Sequence, residues 1–312
     1  MSARPALGAT QPRSRAVLKE PVWTPEIPLY FYTGGLAGAS AGLGLLSDLR
    51  GEGVLARRAW SLALAGSVVS PALLISDLGV PRRFLHMLRL FKVTSPMSVG
   101  SWILAAFGAA TAPAALHSLG GGRLGAAGRA AQVASALLGL PLSSYTAALI
   151  ADTAVPAWHE ARRELPFLFA AGAAASAGAA CTMLSPVVHA QPARRLAVGG
   201  AAVEAAVAFG MERRLRALGV GGGYDEVAGL NRAATALTLA GAALIAARGR
   251  SRPASVAGGL LVSAGAIAER WTVFQAGKRS ALRPEDTVGP QRTRVERDLS
   301  RGAARARARA AR

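Results

Sequence analysis

The sequence predicts an all-α integral membrane protein with eight transmembrane helices, and three observations carry that expectation. Of 312 residues, 52% are hydrophobic and only 17% are charged, whereas a soluble chain of this length spreads charge along its whole surface. Long uncharged runs alternate with short arginine-rich segments, the pattern of helices that cross lipid and loops that do not. A bilayer core about 30 Å thick needs about 20 apolar helical residues, and the chain holds eight such runs.

In order, the runs cover residues 27–46, 59–75, 98–118, 131–151, 165–189, 196–211, 228–247 and 254–274. The first follows a proline-rich approach at 21–28 and is crowded with small residues, among them Gly34, Gly35, Ala37, Gly38, Ala39 and Ser40. Small residues let helix backbones approach closely, so packing substitutes for a hydrophobic drive that lipid cannot supply. The second and sixth runs are short, and several others are rich in alanine and glycine, so these spans depend on their neighbours. A basic, disordered N-terminus is expected over 1–22, the transmembrane domain over 23–277, and a basic, disordered tail over 278–312. The tail lacks apolar periodicity and ends in low-complexity sequence that cannot bury a core.

The net charge of +19 does not indicate nucleic acid as a partner. Eleven of the 36 lysines and arginines sit in the tail, and most others lie between apolar runs, where they face the bilayer surface. With both termini on the cytoplasmic side, 24 Lys and Arg lie inside against 10 outside, as the positive-inside rule asks. The first residues carry Arg4, Arg13, Arg15 and Lys19 with no apolar stretch and cleavage site behind them, so no signal peptide is expected. One cysteine, Cys181, excludes an intrachain disulfide, cysteine-ligated zinc and an iron-sulfur cluster held by this chain alone. His117 and His189 fall at the outer ends of their spans, a weak signal for a bis-histidine site, and neither haem nor metal is expected.

Residues able to carry chemistry gather on one face: the approach around Trp23, the loop after the second span and the loop after the fourth. The connections on this face are the longer ones, long enough to form a docking surface. His159 in the fourth loop titrates in the physiological range and suits proton exchange. A second set lies inside the spans, where each ionisable residue costs roughly 2.5 to 3.5 kcal/mol at a helix centre and faces a partner or water. Glu204 is nearest mid-membrane, and Arg232 and Glu269 lie at depths that permit an ion pair. Glu204, Glu269 and Arg232 form a candidate proton path, which also leaves open a proton or small-ion transporter.

Four runs bring a resemblance into view: EIPLYFYTGGLAG from Glu26, SDLGVPRRF from Ser76, TSPMSVGSW from Thr94 and YTAALIADTAVPAW from Tyr145. Together with RWTVFQAG from Arg270, they resemble the NrfD/PsrC family of membrane subunits in polysulfide-reductase-like complexes. The resemblance implies two four-helix bundles and electron exchange with a quinone pool, either menaquinone or ubiquinone. It implies two partners, a ferredoxin-like iron-sulfur subunit and a molybdopterin catalytic subunit, and a family without haem. Tyr145 falls on the tyrosine that this family associates with the quinone headgroup, although Ala147 stands where its motif has glycine. Asp77 and Arg83 match the family's loop, as an ion pair or as contacts to quinone or partner. Some members use an asparagine and a histidine in the first helix, where this chain offers Tyr30 and Tyr32.

Overall fold

The structure, a computed structural model, describes residues 18–290. The far N-terminus and most of the expected tail lie outside the described residues. Eight helices of twenty residues or more account for most of the chain: α1 (Glu26–Leu49), α2 (Gly53–Asp77), α4 (Pro96–Leu119), α5 (Gly125–Ala151), α7 (Leu165–Leu184), α8 (Gln191–Ala217), α10 (Ala228–Arg248) and α11 (Arg252–Leu282). Three short helices, α3 (Arg83–Met87), α6 (Pro156–Glu160) and α9 (Gly222–Glu226), join them at one end. At the other end the connections are tight turns and a 3-10 turn at Val187–His189.

Each of the eight apolar runs forms a long helix. By length and hydropathy, α2, α4, α5, α7 and α10 each suffice to cross a membrane. The remaining three carry more polar residues, and their burial explains how they tolerate them. α1 sets Tyr30, Ser40, Ser47 and six glycine or alanine positions inward, while α11 buries Glu269, Arg270, Thr272 and Ser280.

Helices α1, α2, α4 and α5 pack around one another, as do α7, α8, α10 and α11. α1 and α7 lie between the two groups, and 72% of the apolar window of α7 is buried inside the protein. Glycine sets the closest crossings. A Cβ on Gly38 would stand 2.4 Å from the Gly139 carbonyl oxygen, and one on Gly139 would stand 2.5 Å from that of Gly38, so α1 and α5 meet backbone to backbone. α10 and α11 cross the same way at Gly241 and Gly258.

Several expected boundaries move. The run 165–189 breaks at Leu184, because Ser185 is extended ahead of Pro186, whose ring disfavours helix in the residue before it. α8 extends at both ends beyond 196–211, where Arg194 donates to the Val187 and Gly249 carbonyls, Arg214 pairs with Glu164 and Arg216 pairs with Glu212 one turn back. The tail boundary at 277 falls within α11, which continues to Leu282, and residues 284–290 are helical as well. The reason is local pairing: Arg283 reaches Glu226 at 2.9 Å and Asp286 at 3.5 Å. Burial pushes the Asp286 carboxyl up against the lowering effect of Ser280 and Arg283, and the hydrogen bond that Arg283 donates to Glu226 holds its guanidinium above the ordinary value. At the other terminus residues 18–24 have no helix, yet Leu18 and Trp23 pack on the core and Glu20 pairs with Lys278 at 3.1 Å.

Candidate functional site

The approach to α1 is fastened to the end of α2. Asp77 accepts a hydrogen bond from the Thr24 amide at 3.1 Å and a second, short one from the Thr24 hydroxyl. No ion pair joins Asp77 to Arg82 or Arg83 among the described residues. Arg83 instead opens α3 and is exposed. Trp23 stacks on Trp158 at 5.5 Å, and Trp158 is fully buried with its indole N–H donated to the Val273 carbonyl at 2.8 Å. Gly277 leaves the room that this indole fills. The N-terminal approach, the fourth connection and α11 are thus joined into one face. His159, next to Trp158, is exposed on that face.

Tyr145 lies six residues before the end of α5, about 9 Å along the axis at 1.5 Å per residue. Its phenol end lies over Gly100 on α4, where a Cβ would come within 1.6 Å of Cζ and 1.9 Å of the hydroxyl oxygen. Tyr145 is only partly buried, while Tyr30 on α1 is buried and its phenol is an electrostatic neighbour of the Tyr145 phenol. Tyr30 stands four residues into α1, so both rings lie near the same end of the helices. Ser70 and Thr33, hydrogen-bonded at 3.0 Å between α2 and α1, lie one turn further in.

A second polar cluster sits in the other group of helices. Arg270 Nη1 donates to Glu204 Oε1 at 3.0 Å, and Nη2 donates to the Phe169 carbonyl at 3.0 Å. The guanidinium also lies 4.5 Å from the centre of the Phe169 ring. Gly172 on α7 makes the pair possible, because a Cβ there would stand 2.1 Å from Glu204 Oε1. The Arg232–Glu269 pair that their depths permit does not form among the described residues. Arg232 is exposed and donates to the Ala228 carbonyl, because Asn231 takes the buried face of α10 and one residue turns a helix by about 100°.

The family model described as NrfD_2, polysulfide reductase, matches residues 18–283. The chain belongs to the NrfD-type polysulfide reductase family. That match runs through all eight long helices and through both clusters, so the four motif runs are features of one continuous family domain. Membership makes this protein a membrane-integral subunit of a reductase complex, working with a catalytic subunit. No curated protein matches the chain.

Within this NrfD-type chain, Tyr145 and Tyr30 are brought together, and Asp77 lies on the face where α2 ends. Arg83 and His159 are on that face but outside the tyrosine cluster. Gly100, Gly172 and Tyr224 do not stand out in the sequence as site residues. Gly100 stood in the quoted run from Thr94, and Tyr224 follows three consecutive glycines, a turn signal that marks a close approach. Burial pushes the Tyr224 phenol well up, with Glu269 and Glu212 adding to the effect.

Proposed function

We propose that this NrfD-type protein is a quinone-reactive membrane subunit. All eight long helices cross the plasma membrane as two four-helix bundles, with both termini cytoplasmic. The chain anchors a ferredoxin-like iron-sulfur subunit and a molybdopterin catalytic subunit, and exchanges electrons and protons with menaquinone or ubiquinone. The observation that carries this reading is the Tyr145 phenol, seated over Gly100 beside Tyr30 and partly open near one end of the helices.

That setting fits a headgroup whose tail remains in lipid. A bound quinone supplies carbonyl oxygens that gain protons as electrons arrive. The Tyr145 hydroxyl donates a hydrogen bond where negative charge develops, an interaction that strengthens towards the transition state. Tyr30 shields the ring from water and keeps the local dielectric low. His159 is exposed and Asp77 partly exposed on the face at this end of the helices, where protons exchange with bulk solvent. The face formed by Trp23, α3 and α6 receives the iron-sulfur subunit, since electrons cross protein only over short distances and one cysteine cannot bind a relay cluster.

Tyr145→Phe tests this. The variant keeps the ring and its packing, and so co-purifies with the iron-sulfur subunit in normal amount. Quinone turnover falls by about 1 to 3 kcal/mol at the transition state. Turnover at the unmodified rate in an assembled complex refutes the assignment.

A further inference from the structure

The cluster between α7, α8 and α11 has no role in quinone binding as proposed. Glu204, Glu269 and Arg270 are 3%, 4% and 2% exposed. Arg270 is committed to Glu204 and to the Phe169 carbonyl, and Glu269 has Glu204, Arg270 and Glu212 as electrostatic neighbours. Two carboxyls and one guanidinium are neutral overall only when one proton is bound, and charge left unbalanced in hydrocarbon is costly. A cavity of about 10 Å³ between α8, α10 and α11 is bordered by Glu204, Glu269, Thr235 and Thr238. That volume is at the threshold for one water, and the border offers it polar partners.

Between the cluster and the α9 end, one face of α8 carries two glutamates with Ala208 between them. Glu204, Ala208 and Glu212 recur every fourth residue on α8, a stripe about 12 Å long. Tyr224 on α9 is buried, its hydroxyl has no hydrogen-bond partner among the described residues, and its electrostatic neighbours are Glu269 and Glu212. Glu212 is held by Asn231 at 2.8 Å and by Arg216 at 3.1 Å, with its side chain 15% exposed.

We propose that Glu269, with Glu204 and Arg270, is a membrane-buried proton-binding site that exchanges with the α9 face through the Tyr224 hydroxyl and Glu212. Neither carboxyl hydrogen-bonds the Tyr224 hydroxyl, so water bridges each hop. A water gives a proton to the Glu269 carboxylate as it takes the Tyr224 O–H proton, and the phenol oxygen takes a proton passed through a second water from Glu212 once that carboxylate has been protonated from the α9 face. The phenol ends neutral and Glu212 ends as carboxylate. No electron moves. The burial that pushes the Tyr224 phenol up suits it to act as a neutral relay. The charged and titratable groups facing this route are Glu204, Glu212 and Arg216 from α8, Glu269 and Arg270 from α11, Tyr224 from α9 and Tyr32 from α1, which neighbours Arg270. α7 contributes the Phe169 ring and carbonyl, and α10 contributes Asn231, Thr235 and Thr238.

The inference rests on the helices crossing a bilayer and not on the quinone reading. Infrared difference spectroscopy of the full chain in quinone-free lipid vesicles, stepped in pH, tests it. A buried carboxylic acid band is expected, lost in Glu269→Gln and retained, shifted, in Glu269→Asp. On transfer to D2O the band shifts, and Tyr224→Phe slows that shift by about 10²-fold or more. Tyr224→Phe removes one oxygen and keeps the packing, so it decides the matter even where Glu269→Gln does not fold. A band that survives in folded Glu269→Gln, no such band in the unmodified chain, or exchange at the unmodified rate in Tyr224→Phe each overturns the proposal.

Discussion

Gly100→Ala is a one-carbon perturbation aimed at the quinone region. The added Cβ lands 1.6 Å from Tyr145 Cζ, 1.9 Å from its hydroxyl oxygen and 2.2 Å from Cε1. No rotation of a methyl group relieves contacts of that length, so the phenol must leave its seat or α4 must move away from α5. Overpacking of this kind costs about 1 to 3 kcal/mol. The cost belongs to the contact with one ring, which a double-mutant cycle isolates. In a Tyr145→Ala background the same Gly100→Ala change meets an emptied space and costs close to nothing. The readout is unfolding of the purified protein in detergent for the four members of the cycle, together with quinone turnover of the assembled complex. Turnover falls in Gly100→Ala at least as far as in Tyr145→Phe, because the hydroxyl is displaced rather than only removed. An equal stability cost in both backgrounds refutes the seat, and full turnover with a displaced ring refutes its role.

Arg270→Leu leaves Glu204 without its counter-charge and strips a donor from the Phe169 carbonyl, so unfolding measurements show a loss of about 3 to 5 kcal/mol. Adding Glu204→Gln recovers much of that loss, which identifies the unpaired carboxylate as its source. Asp77→Asn weakens two hydrogen bonds from Thr24 that end on a charged group; it costs about 1 to 3 kcal/mol and makes residues 18–25 more open to limited proteolysis. Burial raises the Tyr224 phenol, so the folded state keeps that proton longer than the unfolded chain does. The associated stability is fully present below about pH 10, the ordinary phenol value, and is lost as pH rises beyond it. Alkaline unfolding of Tyr224→Phe therefore shows a shallower decline than the unmodified chain.

The helices were legible because charge is nearly absent from eight long runs, and each run forms a helix. Their ends were less so. Hydropathy carried the fifth run past Leu184 until Pro186 had already broken it, and it stopped short at 211 although Glu212, Arg213, Arg214 and Arg216 continue α8. The stretch after 277 looks like a solvated tail in composition, and only the reach of Arg283 to Glu226 and Asp286 shows why helix persists. Tyr145 was singled out through its motif. Its seat was not, since Gly100 gains meaning only once α4 and α5 cross.

Arg232 shows what sequence position leaves open. Position along a sequence gives depth in the bilayer, and Arg232 and Glu269 do share a depth. It does not give azimuth, which decides whether an ionisable side chain faces a partner helix. Burial of Asn231 and of Glu269 turns Arg232 outward and leaves Arg270, the neighbour of Glu269, to reach across to Glu204. What makes room for that reach is Gly172 on α7, as Gly100 on α4 makes room for Tyr145. Away from the helix ends, where a long side chain such as that of Arg232 can reach the membrane surface, lipid gives a polar side chain no favourable outward rotamer, so its space has to come from the helix opposite. In each group of helices, then, a glycine makes room for the polar side chain facing it, and Gly172→Ala displaces the Glu204–Arg270 pair just as Gly100→Ala displaces the phenol.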